Sequence, residues 1–443
     1  MKKLLSLLLV AVLVLSLAAC GTEEETTEVK EEATTTTEEG TTEEATEASD
    51  ERTPIKLYTY YADTDVAVVD FAVAAIEEKL PVDIEIMHRA DATGVELKTM
   101  AAVGKLPDVY EVTGETVINT FVESGDIAPM EEAMEMYGAM EDVNGASLGS
   151  LVNADGHTYA MNFEPPRNFL IYYNQSVFDE YGLELPTNYD EMLNVTKVFV
   201  ENGIIPFSLF GAEPWPGVMI YDSIASRYNP AGIKALMDGS ANITDPGYVK
   251  AAEQVSELVN AGFIGKSSFA TNASQAFELF KTGKSAMIGN GTWYLLDLAE
   301  YGEGFGYLDN PFSEPGQEAA TLNNRSGGSS QGGWTVNPKS ENLDLATQVA
   351  VEYCIQRAVA SVKLFGTANP LTYDVEPNEA RHSAAQKYSD EIVNFETTTY
   401  FPWNIPNAEI ATAFNDNHQA LLGNALTPEE FIEDMQKVID ANR

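Results

Sequence analysis

The sequence predicts an α/β protein with two lobes, the first of them built on a parallel sheet. Segments with the period of a strand alternate with segments with the period of a helix from residue 55 to residue 112. The order strand, helix, strand, helix, strand is typical of a parallel sheet. The chain has 443 residues, and about 390 of them follow Arg52, which exceeds one ordinary domain and predicts two lobes.

Each element is predicted from its own local pattern. The residue patterns predict strands at 55–60, 82–86, 109–112 and 170–173, and a short apolar segment follows at 204–207. Apolar residues at helical spacing predict helices at 66–80, around 97–100, and at 187–203, 245–262 and 427–438. Thr187 is the predicted N-cap of the helix at 187–203. The last helix begins with a capping box formed by Thr427 and Glu430, with Pro428 in its first turn.

The first 20 residues have the pattern of an export signal. Lys2 and Lys3 precede an apolar run at 4–17, which is shorter than the roughly 20 apolar residues of a membrane-spanning helix. The ending LAAC at 17–20 resembles the bacterial lipobox. This resemblance implies that Cys20 is lipid-modified and becomes the N-terminus of a mature chain outside the cytoplasm. The alternative is an ordinary secretory signal that contains a cysteine by chance.

The composition of the chain limits the classes of function that we expect for it. Residues 21–51 are mainly Thr, Glu, Ala and Gly, which predicts a disordered acidic linker. The formal net charge of −44 predicts a surface that repels nucleic acid. The four His residues have no metal-ligand spacing, and no phosphate-cradling loop or zinc-protease helix occurs. We therefore expect no cofactor, no metal, no nucleic-acid partner and no enzymatic activity. Asp108 is interpreted as structural, and Cys354 as a small buried residue of a helix.

Five segments occur in the order found in family 1 of the extracellular solute-binding proteins. These are the sugar-binding lipoproteins of ABC importers related to maltose-binding protein. Four of them are 104–109 (GKLPDV), 155–187 (DGHTYA at 155–160 and YYNQ at 172–175), 280–293 (ending GTW) and 332–334 (GGW). The fifth is the last helix, which resembles the ending of that family. His157 stands where the family usually has Lys, and Tyr189 stands near the place of its usual Trp.

The resemblance implies a two-lobed fold of the periplasmic-binding-protein type (type II), with a ligand cleft between lobes joined by crossover hinges. We assign 52–165 and 291–332 to the N-terminal lobe, and 166–290 and 333–443 to the C-terminal lobe. Crossings are predicted near 160–167, 288–291 and 332–338. The implied function is that a monomer, anchored to the membrane through its lipid, captures a carbohydrate and delivers it to the permease subunits of an ABC importer. A surface glycoside-acting enzyme and an adhesion lipoprotein are the alternatives.

A sugar site in such a cleft needs aromatic rings to cover the C–H faces of a pyranose and polar groups to bond its hydroxyls. The aromatic candidates, for which core packing is the alternative, are Trp215, Trp293, Trp334 and Trp403, with Asn290 and Gly333 beside two of them. Ligands of open α/β sheets bind beyond the carboxyl ends of strands. The polar candidates near strand ends and at the first crossing are Tyr60, Tyr61, Asp63, Glu111, Thr113 and Arg167. Asp63 and Glu111 are also a possible carboxylate pair for the enzyme alternative.

Overall fold

A computed structural model describes residues 52–60, 66–88, 95–149, 151–153, 155–328, 332–395 and 397–443. The predicted signal segment with Cys20, the predicted linker at 21–51, and the candidates Tyr61 and Asp63 lie outside the described residues. None of the described helices combines the length and the apolar character that a bilayer crossing requires.

One to four helices lie between most consecutive strands of the described chain. The strands are β1 (Thr53–Thr59), β2 (Val82–His88), β3 (Val109–Thr113), β4 (Phe169–Asn174), β5 (Ile205–Ser208), β6 (Ser285–Gly291), β7 (Phe305–Tyr307), β8 (Asn324–Gly328), β9 (Gly332–Val336) and β10 (Thr397–Thr399). The helices are α1 (Val66–Lys79), α2 (Val95–Ala102), α3 (Glu115–Ser124), α4 (Glu131–Met136), α5 (Ala139–Asp142), α6 (Gly145–Gly149), α7 (Gln175–Tyr181), α8 (Tyr189–Glu201), α9 (Trp215–Tyr228), α10 (Ile233–Met237), α11 (Pro246–Asn260), α12 (Ala273–Lys281), α13 (Leu295–Tyr301), α14 (Glu318–Thr321), α15 (Leu343–Phe365), α16 (Ser383–Glu391), α17 (Ala408–Leu422) and α18 (Pro428–Asn442).

The first sheet has the strand order β2-β1-β3-β9. Strand β1 runs parallel to β2 and β3, which confirms the predicted parallel pairing, whereas β9 is antiparallel to β3. Side chains of a strand alternate between the two faces of its sheet. Ile55 and Leu57 therefore pack in one core with α1 and α15, and Tyr58 and Tyr110 pack in another with α2 and α3. Both faces of this sheet are buried, as is usual for a parallel α/β sheet.

The second sheet has the order β5-β6-β4-β7. Strand β6 is parallel to β5 and antiparallel to β4, so this sheet is mixed. Ile171 and Phe207 face a large core shared with α8, α9, α11, α17 and α18, and Leu170 and Tyr172 face a smaller one with α12, α13 and α16. A fully buried side chain of this kind contributes about 1.5–3 kcal/mol, so each face is firmly held by its helices.

A third, two-stranded sheet pairs β8 with β10. The fully buried Asp222 of α9 joins both strands, since its carboxylate accepts hydrogen bonds from the hydroxyls of Ser326 and Thr399. It also accepts one from the backbone N–H of Ile233 at 2.8 Å. Burial raises the pKa of Asp222, and these donors act against that increase. The segment that follows β10 is thereby tied to α9.

The described chain passes between the first two sheets at three places. The first passage agrees with the predicted crossing at 160–167, because Met161 still bridges to Trp334 of the first sheet while β4 begins the second. The other passages lie between β8 and β9 and between α15 and α16. The predicted crossing at 288–291 is wrong, because these residues lie inside β6 and pair with β4. The crossing predicted at 332–338 comes earlier in the chain, because 332–336 already form β9.

Strand pairing also corrects the predicted lobe boundaries. Strand β7 lies in the segment assigned to the N-terminal lobe, but it pairs with β4 of the second sheet. Strand β9 and helix α15 lie in the segment assigned to the C-terminal lobe, but they belong to the first sheet and its core. We therefore assign the described residues within 52–160 and 332–365 to the first lobe, and those within 169–328 and 383–443 to the second lobe. Local periodicity could not reveal this, because pairing joins segments that are distant in sequence.

Several local predictions are confirmed. Thr427 and Glu430 form the capping box of α18. Asp108 is structural, since its carboxylate accepts hydrogen bonds from the backbone of Lys56 at 2.9 Å and from the hydroxyl of Ser340. Cys354 is buried in α15. The N-cap of α8 was predicted one residue too early: it is Asn188, whose side chain accepts from the N–H of Glu191.

Candidate ligand-binding cavity

A cavity of about 610 Å³ is lined by residues of both lobes. The first lobe contributes Tyr60, Val68, Glu111, Thr113, Ser361 and Phe365. The second lobe contributes Thr292, Trp293, Leu295, Leu296, Asp297, Ala385, Tyr388 and Trp403. The chain passages contribute Glu164, Pro165, Pro166, Arg167, Thr367 and Ala368. Tyr60 directly follows β1, and Glu111 and Thr113 lie at the end of β3, where ligands of open α/β sheets bind.

Aromatic rings form part of the cavity wall that belongs to the second lobe. Trp293 and Trp403 line it directly. Phe401 stacks face to face on Trp403, with ring centroids 4.5 Å apart and an interplanar angle of 4°. The ring of Trp293 lies 5.5 Å from Phe401 and 6.3 Å from Trp403. Trp215 contacts all three rings at 5.5–6.0 Å without lining the cavity. We call these four residues the aromatic cluster.

Local backbone features place these rings. Gly291 leaves the space for Trp293, because a Cβ at residue 291 would lie 2.1 Å from the indole ring. A short 3-10 turn at Pro402–Asn404 follows β10 and the buried Phe401, and it carries Trp403, which is 40% exposed. An exposed, ordered indole face offers apolar area and a polar N–H edge to a ligand.

Glu111 is the polar centre of the first lobe's side. Its Oε2 accepts hydrogen bonds from the backbone N–H of Tyr60 at 2.6 Å and from the hydroxyl of Thr59 at 3.2 Å. Both donors lie at the end of β1, so the neighbouring strand orients the carboxylate of β3. An oriented carboxylate is a strong acceptor for hydroxyl groups.

Glu164 links the first passage to helix α15. Its carboxylate contacts Arg167 at 2.6 Å and Arg357 of α15 at 3.3 Å, and it accepts a hydrogen bond from the hydroxyl of Ser361 at 3.1 Å. Burial alone raises the pKa of Glu164, but the two guanidinium groups outweigh it and lower that pKa to about 2. The carboxylate is therefore ionised at neutral pH, and it holds the guanidinium of Arg167 at the cavity surface.

The structure brings together six of the candidates predicted from sequence. These residues, which all line the cavity, are Tyr60, Glu111, Thr113, Arg167, Trp293 and Trp403. The rule that ligands bind at strand ends selected the first three. The cavity is thus lined by the two kinds of group that the sequence predicts, aromatic rings and polar side chains.

Four predicted site residues do not line the cavity, and their assignment is corrected. Trp334 is a core residue, only 4% exposed, whose indole N–H donates to the Thr59 hydroxyl at 3.0 Å. Gly333 lies inside β9, where a Cβ would come within 2.3 Å of the Met161 carbonyl oxygen. Asn290 is 3% exposed within β6 and accepts a hydrogen bond from the N–H of Gly291. Trp215 supports the other rings of the aromatic cluster.

Sequence reasoning missed other lining residues. Tyr388 of α16 lines the cavity, and its hydroxyl donates to Asn168 Oδ1 at 2.7 Å or to the Pro166 carbonyl at 2.9 Å. Phe365 ends α15, whose apolar period predicts only a core helix. The two prolines at 165–166, next to Arg167, were the one signal in the sequence that pointed to this part of the site.

Residues 145–149 have the Gly-x-Ser-x-Gly spacing that some hydrolases use for a nucleophile. In those enzymes the serine lies on a sharp turn between a strand and a helix. Here the five residues form the short helix α6, which follows α5 without an intervening strand, and Ser147 is 2% exposed. The spacing therefore does not indicate a hydrolase.

Two lobes joined by three passages, with a ring-lined and carboxylate-lined cavity between them, define a two-lobed ligand-binding protein. Residues 63–353 match the profile of the bacterial extracellular solute-binding proteins, and the chain belongs to this family. The match confirms the family resemblance. The family consists of binding proteins rather than enzymes, and it places the protein outside the cytoplasm.

Individual relatives agree with this family. An uncharacterised ABC-transporter extracellular-binding protein of Pyrococcus horikoshii is 23% identical over 304 residues, which are 66% of this chain and 64% of the relative. The multiple sugar-binding protein of Streptococcus mutans is 22% identical over 272 residues, 57% of this chain and 60% of the relative. The chain thus matches somewhat less than two thirds of the length of these relatives.

Solved structures show the same fold. A chitin oligosaccharide binding protein superposes with a TM-score of 0.74 at 19% identity, covering 88% of this chain and 99% of the other. A Bacillus licheniformis sugar transporter in complex with stachyose superposes with a TM-score of 0.62 at 20% identity, covering 87% of this chain and 98% of the other. These similarities confirm the predicted two-lobed α/β fold.

Proposed function

We propose that this protein captures a carbohydrate outside the cell and delivers it to the permease of an ABC importer. The observation that most supports the proposal is the pairing of two indole rings, the partly buried Trp293 and the exposed Trp403, with the oriented carboxylate of Glu111 in one cavity. The names of the relatives, which include sugar-binding proteins, point in the same direction.

The chemistry of the cavity suits a sugar. Pyranose faces expose C–H groups, which pack on aromatic rings, while the hydroxyls at the ring edge bond to charged groups more strongly than to neutral ones. The guanidinium of Arg167 supplies donors, and the carboxylate of Glu111 supplies acceptors. The volume of about 610 Å³ lies within the usual range of roughly 300–1,000 Å³ for small-molecule sites. A short oligosaccharide is the ligand class that we propose.

A screen of the purified chain from Arg52 onward tests the proposal. Stachyose, raffinose, chitotriose and xylotriose would each be added at increasing concentration while the melting temperature is recorded. A ligand that binds only the native state stabilises it by about 2.7 kcal/mol at a hundredfold excess over its Kd, so at least one sugar is expected to raise the melting temperature. Calorimetric titration would confirm the binding. No shift and no heat with any of these sugars would contradict the proposed ligand class.

We further propose that the protein is a lipoprotein held to the outer face of the cell membrane through Cys20. The lipobox-like ending at 17–20 and the acidic linker at 21–51 support this anchoring. Replacement of Cys20 by alanine is expected to abolish incorporation of a radiolabelled fatty acid, because residue 20 then has no thiol to form the thioether with diacylglycerol. The Cys354→Ala variant is the matched control and should incorporate label normally. Equal labelling of Cys20→Ala and the unmodified chain would contradict the anchor.

A further inference from the structure

The backbone of Trp403 lies at a contact between the two lobes. Trp403 belongs to the second lobe, and its carbonyl oxygen lies beside Gly114, which follows β3 of the first lobe. A Cβ built on Gly114 would be 2.8 Å from that oxygen. Real Cβ atoms essentially never come closer than 3.0 Å to another heavy atom that is not bonded to them. The neighbouring atom is backbone and cannot rotate away. Glycine at 114 is therefore what allows the lobes to approach this closely.

Gly114 itself is not part of the cavity wall. It is buried between Thr113, which lines the cavity, and helix α3, for which it is the N-cap. A methyl group at residue 114 would therefore meet the Trp403 carbonyl oxygen of the opposite lobe and not a ligand in the cavity.

Phe401 holds the ring of Trp403 from the other side. Phe401 is 2% exposed, and its face-to-face stack leaves only one face of the Trp403 indole for a ligand. Gly327 of β8 makes room for Phe401, because a Cβ there would lie 2.7 Å from the phenyl ring. The sheet of β8 and β10, which Asp222 joins to α9, thus determines where the stacked rings of Phe401 and Trp403 lie.

We propose that Gly114 and Phe401 are positioning residues for Trp403, and that Trp403 couples ligand binding to the approach of the lobes. The ring of Trp403 would contact the sugar while its carbonyl oxygen contacts Gly114 of the first lobe. The inference rests on the proposed sugar-binding function. It predicts that a side chain at residue 114 keeps the lobes apart, moves the indole away from the opposite wall, and weakens binding without touching the ligand.

The first variant is Gly114→Ala, with Gly302→Ala as its matched control. Both glycines have a positive φ with an extended ψ, 86° and 139° for Gly114 and 90° and 173° for Gly302, but a Cβ at Gly302 meets nothing within 4 Å. The control therefore reproduces the backbone strain without the contact between lobes. Titration would use whichever of stachyose, raffinose, chitotriose and xylotriose binds the unmodified chain.

Gly114→Ala is expected to weaken that binding by about tenfold or more, and Gly302→Ala to leave it unchanged within about twofold. Small-angle scattering with saturating sugar should give Gly114→Ala a larger radius of gyration than the unmodified chain. Equal affinity and equal radius for Gly114→Ala and the unmodified chain would overturn the role of Gly114.

The second variant is Phe401→Leu, which tests whether the position of the Trp403 ring controls binding even if Gly114→Ala does not fold. Its control is Phe263→Leu: Phe263 is 1% exposed, belongs to the same core and stacks on Phe207 at 4.8 Å, away from the cavity. Both variants should lose similar stability. Only Phe401→Leu is expected to weaken sugar binding, by about tenfold, and to alter the near-ultraviolet circular dichroism of the tryptophans. Equal affinities for the two variants would overturn the role of Phe401.

The unmodified chain separates the two hypotheses. If it binds none of the four sugars, the proposed function fails, whatever the variants do. If it binds one of them, and Gly114→Ala and Phe401→Leu bind that sugar as tightly as the unmodified chain does, the proposed function stands and the positioning role of Gly114 and Phe401 is refuted.

Discussion

Replacement of Trp293 by alanine is expected to weaken oligosaccharide binding by about tenfold to a hundredfold. The indole lines the cavity and is only partly buried, so part of its apolar area is free to cover a sugar face. That contact contributes on the order of 1–3 kcal/mol to binding. The variant should also lose some stability, because Trp293 packs against Phe401 and Trp215. Calorimetric titration and a melting curve on one sample measure both effects.

Trp334→Ala is the matched control for this experiment. Trp334 also follows a glycine-rich segment, but it is buried in the first lobe beneath the Arg357 guanidinium, which lies 4.6 Å from its ring. Truncation of a core tryptophan costs about 3–5 kcal/mol of stability, and the folded fraction should bind sugar far better than Trp293→Ala does. If Trp293→Ala binds normally and melts much earlier, Trp293 is a core residue and the aromatic wall is misassigned.

Replacement of Gly333 by alanine is expected to lower the free energy of unfolding by on the order of 2–6 kcal/mol, from backbone strain and overpacking together. Gly333 has a φ of 143°, and a Cβ there would lie 2.3 Å from the carbonyl oxygen of Met161 and 2.9 Å from the amide nitrogen of Asn162. Met161 exchanges two backbone hydrogen bonds of 2.8 Å with Trp334. The new methyl group would separate the first passage of the chain from β9.

Gly316→Ala isolates the contribution of strain in this comparison. Gly316 also has a positive φ, 84°, but a Cβ there meets nothing within 4 Å. Chemical unfolding of both variants should therefore show a much larger loss for Gly333→Ala, while sugar affinity of the folded protein falls far less than it does for Trp293→Ala. A Gly333→Ala variant as stable as Gly316→Ala but deficient in sugar binding would return Gly333 to the ligand site.

Much of the fold was predictable because its signals are local. The alternation of Ile55 and Leu57 with more polar neighbours predicts β1, and the capping box at Thr427 predicts the start of α18, since periodicity and capping involve residues within one or two turns. Three cavity residues, Tyr60, Glu111 and Thr113, were predictable in the same way. They lie at the ends of predicted strands, and the carboxyl ends of strands in an α/β sheet are where ligands bind.

Trp293 and Trp334 mark the limit of such reasoning. Each follows a short glycine-containing segment, and nothing within the neighbouring residues distinguishes them. One lines the cavity and the other packs in a core because β6 pairs with β4, whereas β9 pairs with β3 from the opposite end of the chain. The stack of Phe401 on Trp403 likewise depends on β8 and Gly327. Local patterns specified the elements and the kinds of residue at the site. The lobe boundaries and the ring arrangement followed only from hydrogen bonding and close packing between segments far apart in sequence.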